Sequence, residues 1–253
     1  TLIYVDGTKG WQDIQDSTSN VTGASFISAT GGTITNSPCG DFKVHTFTGD
    51  GCFAVSSAGN PAGSSSVDYL IIAGGGGAGT LRGGGGGAGG YRFSNGTASG
   101  CYSAGPSPLG STALPVSVQT YPISVGGGGA GNNSPGGPNP TTQASAGVAS
   151  TFSTITSAGG GFGGNNAPCS QINGGTGGSG GGAGGQSGAN GGAGNTPPVS
   201  PPQGNNGGDD TRPSPPGEGG GGGGGGTTES IPNKGTGGTG GGGNGGSASD
   251  PPV

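Results

Sequence analysis

The chain of 253 residues has no methionine, a single tryptophan (Trp11) and a single histidine (His45), and only 7% of it is charged. Each shortage removes a class of function. Six Lys and Arg against eleven Asp and Glu give a net charge of −5, and Lys9, Lys43, Arg82, Arg92, Arg212 and Lys234 are scattered along the sequence. Nucleic-acid affinity comes from clustered basic groups that neutralise phosphates, so this distribution argues against a nucleic-acid partner. No apolar run reaches the roughly 20 residues a membrane helix needs, which argues against membrane insertion. No acidic residue lies between Asp68 and Asp209, and this excludes calcium-binding glycine repeats, which need an Asp in each nonapeptide. Asp209 and Asp210 sit among Gly and Pro and read as a solvated loop. His45 has no nearby cysteine or acid in a nucleophile arrangement and reads as a strand residue. The sequence offers no feature on which to rest an enzyme, a catalytic residue, a metal site or a cofactor.

Cysteine is sparse too. Cys39, Cys52, Cys101 and Cys169 show no CxxC spacing, so a structural zinc site is not expected. Two disulfides, in any of three connectivities, or free buried thiols are the readings that remain. Asn20, Asn95 and Asn132 open glycosylation acceptor patterns, which matter only for a chain made in a secretory pathway. The chain opens at Thr1, already inside a strand-like Leu2-Ile3-Tyr4-Val5, and reads as a processed or truncated piece of something longer.

What is abundant is glycine, with 73 residues and runs at 83–87, 126–129 and 219–226. Glycine weakens helices and strands by roughly 0.5–1 kcal/mol per residue relative to alanine and brings no side chain to a core. The large apolar residues are concentrated in the first half; after Ile172 only Val199, Ile231 and Val253 follow, and no aromatic follows Phe162. At about 25 cal/mol per Å² of buried apolar surface, so few side chains cannot offset an ordering entropy of about 1–2 kcal/mol per residue. The second half therefore has no hydrophobic core. It is either disordered, as its Pro and Gly content favours, or a close-packed lattice built from main-chain contacts, which its low charge favours. We take the lattice as the working expectation.

The fold class expected is an all-β N-terminal module followed by a polyglycine II body, with no helix of note. Three regions are expected: strands over 1–73, mixed strands and glycine runs over 74–173, and a Pro- and Gly-rich body over 174–253. In the first, Leu2 to Val5 and Trp11 to Ile14 flank the turn dipeptide Asp6-Gly7. The best hairpin joins Phe42 to Phe47 with Cys52 to Val55 across Gly49-Asp50-Gly51. Val67 to Ala73 is apolar on both faces from Tyr69 onward and predicts a central strand covered on both sides. Further strands are expected over 114–118, 121–125 and 149–156. Spacers such as Thr176 and Ser179, or Thr236 and Thr239, fall three apart, the period of polyproline II. The phase slips repeatedly, which excludes collagen.

Tyr69 to Gly79 matches a strand followed by GxGxxG, but neither the helix nor the later acid of a dinucleotide site follows. Aromatics beside glycine turns, Tyr91, Phe93, Tyr102 and Phe162, either plug the junction between strands and glycine layers or lie exposed and bind saccharide or protein. Candidate contact loops are 92–102, 132–139 and 197–216, with Arg92, Phe93, Tyr102, Asn132, Asn133 and Arg212 as the candidate contact residues.

Three strings near the start, Tyr4-Val5-Asp6-Gly7-Thr8-Lys9-Gly10-Trp11, Ala29-Thr30-Gly31-Gly32-Thr33-Ile34 and Lys43-Val44-His45-Thr46-Phe47-Thr48, resemble the glycine-rich structural and tail-fibre-like proteins of cyanobacterial and other aquatic bacteriophages. The stretches 67–92 and 197–208 are similar to the same family, which covers most of residues 1–208. A looser likeness is to the tail-fibre-tip adhesins of T-even-like phages, whose glycine layers form a polyglycine II sandwich. The resemblance implies a virion-surface or extracellular fibre protein without enzymatic activity. Its partners would be itself or other virion proteins and a host receptor or glycan. Two alternatives are a self-assembling filament or capsid-decoration subunit, exchanging strands through Leu2 to Val5, and an ice-binding protein.

Overall fold

The computed structural model describes residues 2–6, 10–13, 23–37, 40, 42–80, 82–96, 110–132, 143–166, 171–185 and 187–210, with only the backbone described over 2–13. No helix occurs among them; the fold is all-β. Strands β1 (Leu2–Asp6) and β2 (Gly10–Asp13) pair antiparallel with Tyr4 opposite Trp11, the hairpin that Asp6-Gly7 predicts.

The core rests on a five-stranded antiparallel sheet. It uses β3 (Ile27–Thr30), β6 (Gly51–Ala58), β11 (Thr120–Ser124), β12 (Ser150–Phe152) and β13 (Ile155–Ser157), in the order β13-β12-β11-β6-β3. Its strands alternate as a half-buried sheet should. On β6, Phe53 and Val55 are buried while Cys52 and Ser56 are exposed. Tyr121 lies opposite Phe53, and Ile123 opposite Phe152, which gathers three rings on one face. Phe53 and Phe152 meet edge to face at 5.9 Å, and Tyr121 lies 6.1 Å from Phe152. Val55, Ile71 and Val116 complete the cluster. The Tyr121 phenol is hydrogen-bonded by the side chains of Gln119 and Ser117, and its hydroxyl accepts from the Ser117 amide at 2.8 Å. These bonds hold its ionisation below the ordinary tyrosine value, against the opposing effect of burial.

Three sequence expectations are corrected. Strand β5 (Lys43–Thr46) does not fold back on β6; it pairs with β4 (Thr33–Asn36), His45 opposite Ile34, while β6 pairs with β3 and β11. The result is one long ribbon, β3 and β4 against β5 and β6, bent at Gly31 and Gly32. Both hold positive φ, and a β-carbon on Gly32 would meet the Phe47 ring. The intended turn residue Asp50 is used elsewhere. Its Oδ1 accepts from the Val125 amide at 2.8 Å and from Ser124 Oγ, which ties the bend to β11.

Second, the apolar run after Val67 is not one central strand. β7 (Ser66–Val67) pairs with β10 (Leu114–Pro115), and β8 (Leu70–Ile72) pairs with β9 (Tyr91–Phe93). Between them Ser94 Oγ accepts from the Tyr69 amide and donates to Asp68. Among the described residues only one face of β8 has a layer beneath it, with Ile71 buried and Leu70 and Ile72 exposed. Third, the strand expected over 149–156 is a hairpin of β12 and β13, because Ser153 adopts a left-handed backbone (φ 56) and turns the chain.

Beyond the sheet, extended glycine-rich segments hydrogen-bond to one another without strand ladders. The amides of Ala73, Gly76 and Gly79 donate to the carbonyls of Gly90, Gly87 and Gly84. Gly74 and Gly77 in the same segment donate instead to Val148 and Ser145. Gly84, Gly87 and Gly90 reach Gly164, Gly161 and Ala158; Ser179, Gly182 and Gly185 reach Ala88, Gly85 and Arg82. Donors to any one neighbour thus recur every third residue, and successive residues serve different neighbours. This satisfies buried main-chain groups in three dimensions rather than within one sheet. Side chains enter this region only where they fit. Ala183 and Ala189 are fully buried methyls, and buried Asn165 accepts from the amides of Thr80 and Asn132. Asp210, expected in a solvated loop, is buried here, and its amide donates to Ala189. Gln203 joins the layers. Its Oε1 accepts from the Ala158 amide, its Nε2 donates to the Pro197 carbonyl, and its own carbonyl accepts from Tyr91.

Candidate interaction surface

Strands β8 and β9 prolong two adjacent glycine segments, since Ala73 follows β8 directly and bonds to Gly90, which precedes β9. The short hairpin is therefore held by the body behind it. Its register puts Leu70 opposite Phe93 and Ile72 opposite Tyr91, so these four side chains share a face, with Ile71 and Arg92 on the other. Ile71 is buried in the core, whereas Leu70 and Ile72 are 57% and 56% exposed. The Tyr91 and Phe93 rings lie 5.3 Å apart and are half-buried. Arg92 points to the sheet side, its guanidinium donating to the Thr156 carbonyl at 3.3 Å.

Of the sequence candidates, Phe93 lies on the outward face and Arg92 on the inward one. Asn132 is half-buried; its amide nitrogen donates to Asn165 Oδ1 and its backbone amide to Ala78. Tyr102, Asn133 and Arg212 lie outside the described residues, as do Asn20, Cys39, Cys101 and Cys169. Cys52 is an exposed free thiol on β6. Asn95 is half-buried beside Ser111, to whose carbonyl its amide donates. The structure adds Leu70, Ile72 and Tyr91 to the outward face. The spacing of Tyr91 and Phe93, two apart, was the available sequence signal for it.

In the GxGxxG match the amides of Gly74, Gly76, Gly77 and Gly79 are all given to carbonyls of other segments. His45 is structural in its contacts: Nδ1 lies 2.8 Å from the Gly31 carbonyl and the ring stands edge-on to Phe53. Among the described residues no group of three or more His, Cys, Asp or Glu comes together, and no helix is long and apolar enough to cross a membrane.

A family model for a glycine-rich domain matches residues 48–252, most of the chain. The chain belongs to the glycine-rich domain family. No curated protein and no solved structure matches it. The matched glycine-rich domain begins between β5 and β6, so the sheet of this family member takes its edge strand β3 from outside the matched span. The outward β8–β9 face and the glycine segments that carry it lie inside the match.

Proposed function

We propose that this glycine-rich domain protein is a non-catalytic fibre protein of a virion surface or the extracellular space, tail-fibre-like, that attaches to a host receptor or glycan. In this reading the glycine body is a bundle of polyglycine II helices. The three-residue recurrence of hydrogen-bond donors supports that. So do glycines such as Gly161 and Gly163, where a β-carbon would strike the carbonyls of Gly175 and Gly84. Main-chain packing of this kind gives stiffness with little apolar surface, and leaves the rim free to vary.

The observation that carries the attachment role is the apolar face of exposed Leu70 and Ile72 and half-buried Tyr91 and Phe93 on a hairpin backed by the glycine segments. Aromatic anchors dominate recognition when they are held in place before binding. The test is adsorption of the labelled protein to a panel of bacterial cells and to a glycan array. Replacing Tyr91 and Phe93 together by Ser is expected to abolish binding while leaving the unfolding midpoint near that of the parent. Val118→Ser, at a site 64% exposed elsewhere, should bind as the parent does. Undiminished binding by the double variant, or no binding by the parent, removes the proposal.

A second reading, a subunit of a filament or capsid decoration, is favoured by the β4–β5 ribbon. Ile34 and Val44 lie on its opposite faces, 45% and 44% exposed, and among the described residues neither strand pairs with any other. Electron microscopy showing isolated particles under all conditions would remove it.

A further inference from the structure

Four asparagine–glycine pairs fall within the described residues: Asn95-Gly96, Asn173-Gly174, Asn190-Gly191 and Asn206-Gly207. Asparagine is a thermolabile residue, most so before glycine, whose amide nitrogen reaches the side-chain carbonyl unhindered by a β-carbon. In three of the pairs that nitrogen is engaged. Gly174 donates to the Asn190 carbonyl at 2.9 Å, Gly191 to Asp209 Oδ1 at 2.7 Å and Gly207 to the Gly192 carbonyl at 2.9 Å. Asn173 and Asn206 are held as well, each Oδ1 accepting a backbone amide at 2.8 Å.

The fourth pair differs. Among the described residues nothing accepts from the Gly96 amide, and Gly96 turns the chain with φ 72. The Asn95 Oδ1 is buried and has no hydrogen-bond partner among the described residues. Behind it the backbone is anchored, Asn95 donating to Ser111 and Ser111 to Phe93.

We propose that Asn95 is a site of spontaneous deamidation, selected by the fold from among four chemically equivalent pairs. The Gly96 nitrogen loses its proton to solvent and attacks Asn95 Cγ. The Cγ–Nδ2 bond breaks and ammonia leaves, giving a succinimide. Water then opens either carbonyl of the ring to give aspartate or isoaspartate. The product places a carboxylate where a buried, unpartnered oxygen stood. A charge is far costlier to bury there than an amide, so the side chain turns outward and the 95–111 pairing is lost, two residues from Phe93 on the outward face.

Side-chain exposure ranks the sites the other way, since Asn173, Asn190 and Asn206 are exposed and Asn95 is half-buried. The experiment is peptide mapping of the native protein during incubation in mildly alkaline buffer, reading the mass gain of about one dalton and isoaspartate content at each pair. Asn95 is expected to convert roughly tenfold faster than the other three, a factor of the size one net hydrogen bond supplies. In concentrated urea the four rates should converge. Conversion at Asn173, Asn190 or Asn206 as fast as at Asn95 in the native protein overturns the proposal. An Asn95 lead that persists undiminished in urea overturns it too, because the fold would not be its cause.

Discussion

A methyl group added at Gly161 tests the main-chain packing directly. Gly161 is buried, its amide donates to Ser179, and its carbonyl accepts from Gly87. A β-carbon there would run into the carbonyl of Gly175, which already accepts from the Gly181 amide at 2.9 Å. Gly161→Ala must therefore push two segments apart and break that bond. Overpacking costs about 1–3 kcal/mol, and a buried group left unpaired adds about 1–3 kcal/mol, so the expected loss is about 2–5 kcal/mol. Gly127 is the matched control: it is exposed, nothing lies within 4 Å of a β-carbon built there, and neither glycine has a left-handed backbone. Gly127→Ala should stabilise by about 0.4–1 kcal/mol by restricting the unfolded chain. Urea unfolding of both variants against the parent gives the comparison. A drop of roughly 5–20 °C in Tm should accompany the first. Two variants of equal stability, or a neutral Gly161→Ala, would show that the segments do not pack through their Cα atoms and would refute the reasoning.

Three further outcomes are expected. Gln203→Ala should cost about 2–5 kcal/mol in urea unfolding, because it strands the Ala158 amide and the Pro197 carbonyl in a buried place. Ile71→Ala should cost about 2–4 kcal/mol and Ile72→Ala well under about 1 kcal/mol, although the two are adjacent and identical in type; similar losses would contradict the one-sided burial of β8. For Tyr121, the folded value lies below the unfolded one of about 10. The folded state then binds fewer protons between those two values, so the group's stabilising contribution is absent below the folded value, grows as pH rises through it, and is complete above about pH 10. The stability gap between the parent and Tyr121→Phe should widen across that alkaline range, and a gap constant with pH would count against it.

Strand positions were legible where side chains alternate, and pairings where the turn is local. Asp6-Gly7 marked the β1–β2 hairpin, and Tyr121 to Val125 marked β11, because both signals lie within a few residues. The partner of β5 was not legible. Burying Phe53 and Val55 requires β6 to lie between β3 and β11, and Asp50 reaches across to Val125, both long-range demands that override a promising turn. The run Leu70-Ile71-Ile72 looks the same whether one or both faces are covered, and the glycine segments beside it have no side chains to cover the second face. Ser153 carries no turn signature, so the β12–β13 corner was hidden. Of the outward face, the aromatic half could be read from β9, while Leu70 and Ile72 come opposite it only through the register fixed by the glycine segments behind. Asn95 was visible as an acceptor pattern, but the freedom of the neighbouring amide is a property of the hydrogen-bond network.

The recurrence of donors every third residue also limits how such a chain can change length. Within 158–166, Gly160 and Gly163 face one neighbour while Gly161 and Gly164 face another. Removing one residue from the middle would hand each later amide to the wrong side, in the way a dropped letter garbles a text read in triplets. Growth and shrinkage of the family should therefore be confined to the bends, or proceed three residues at a time.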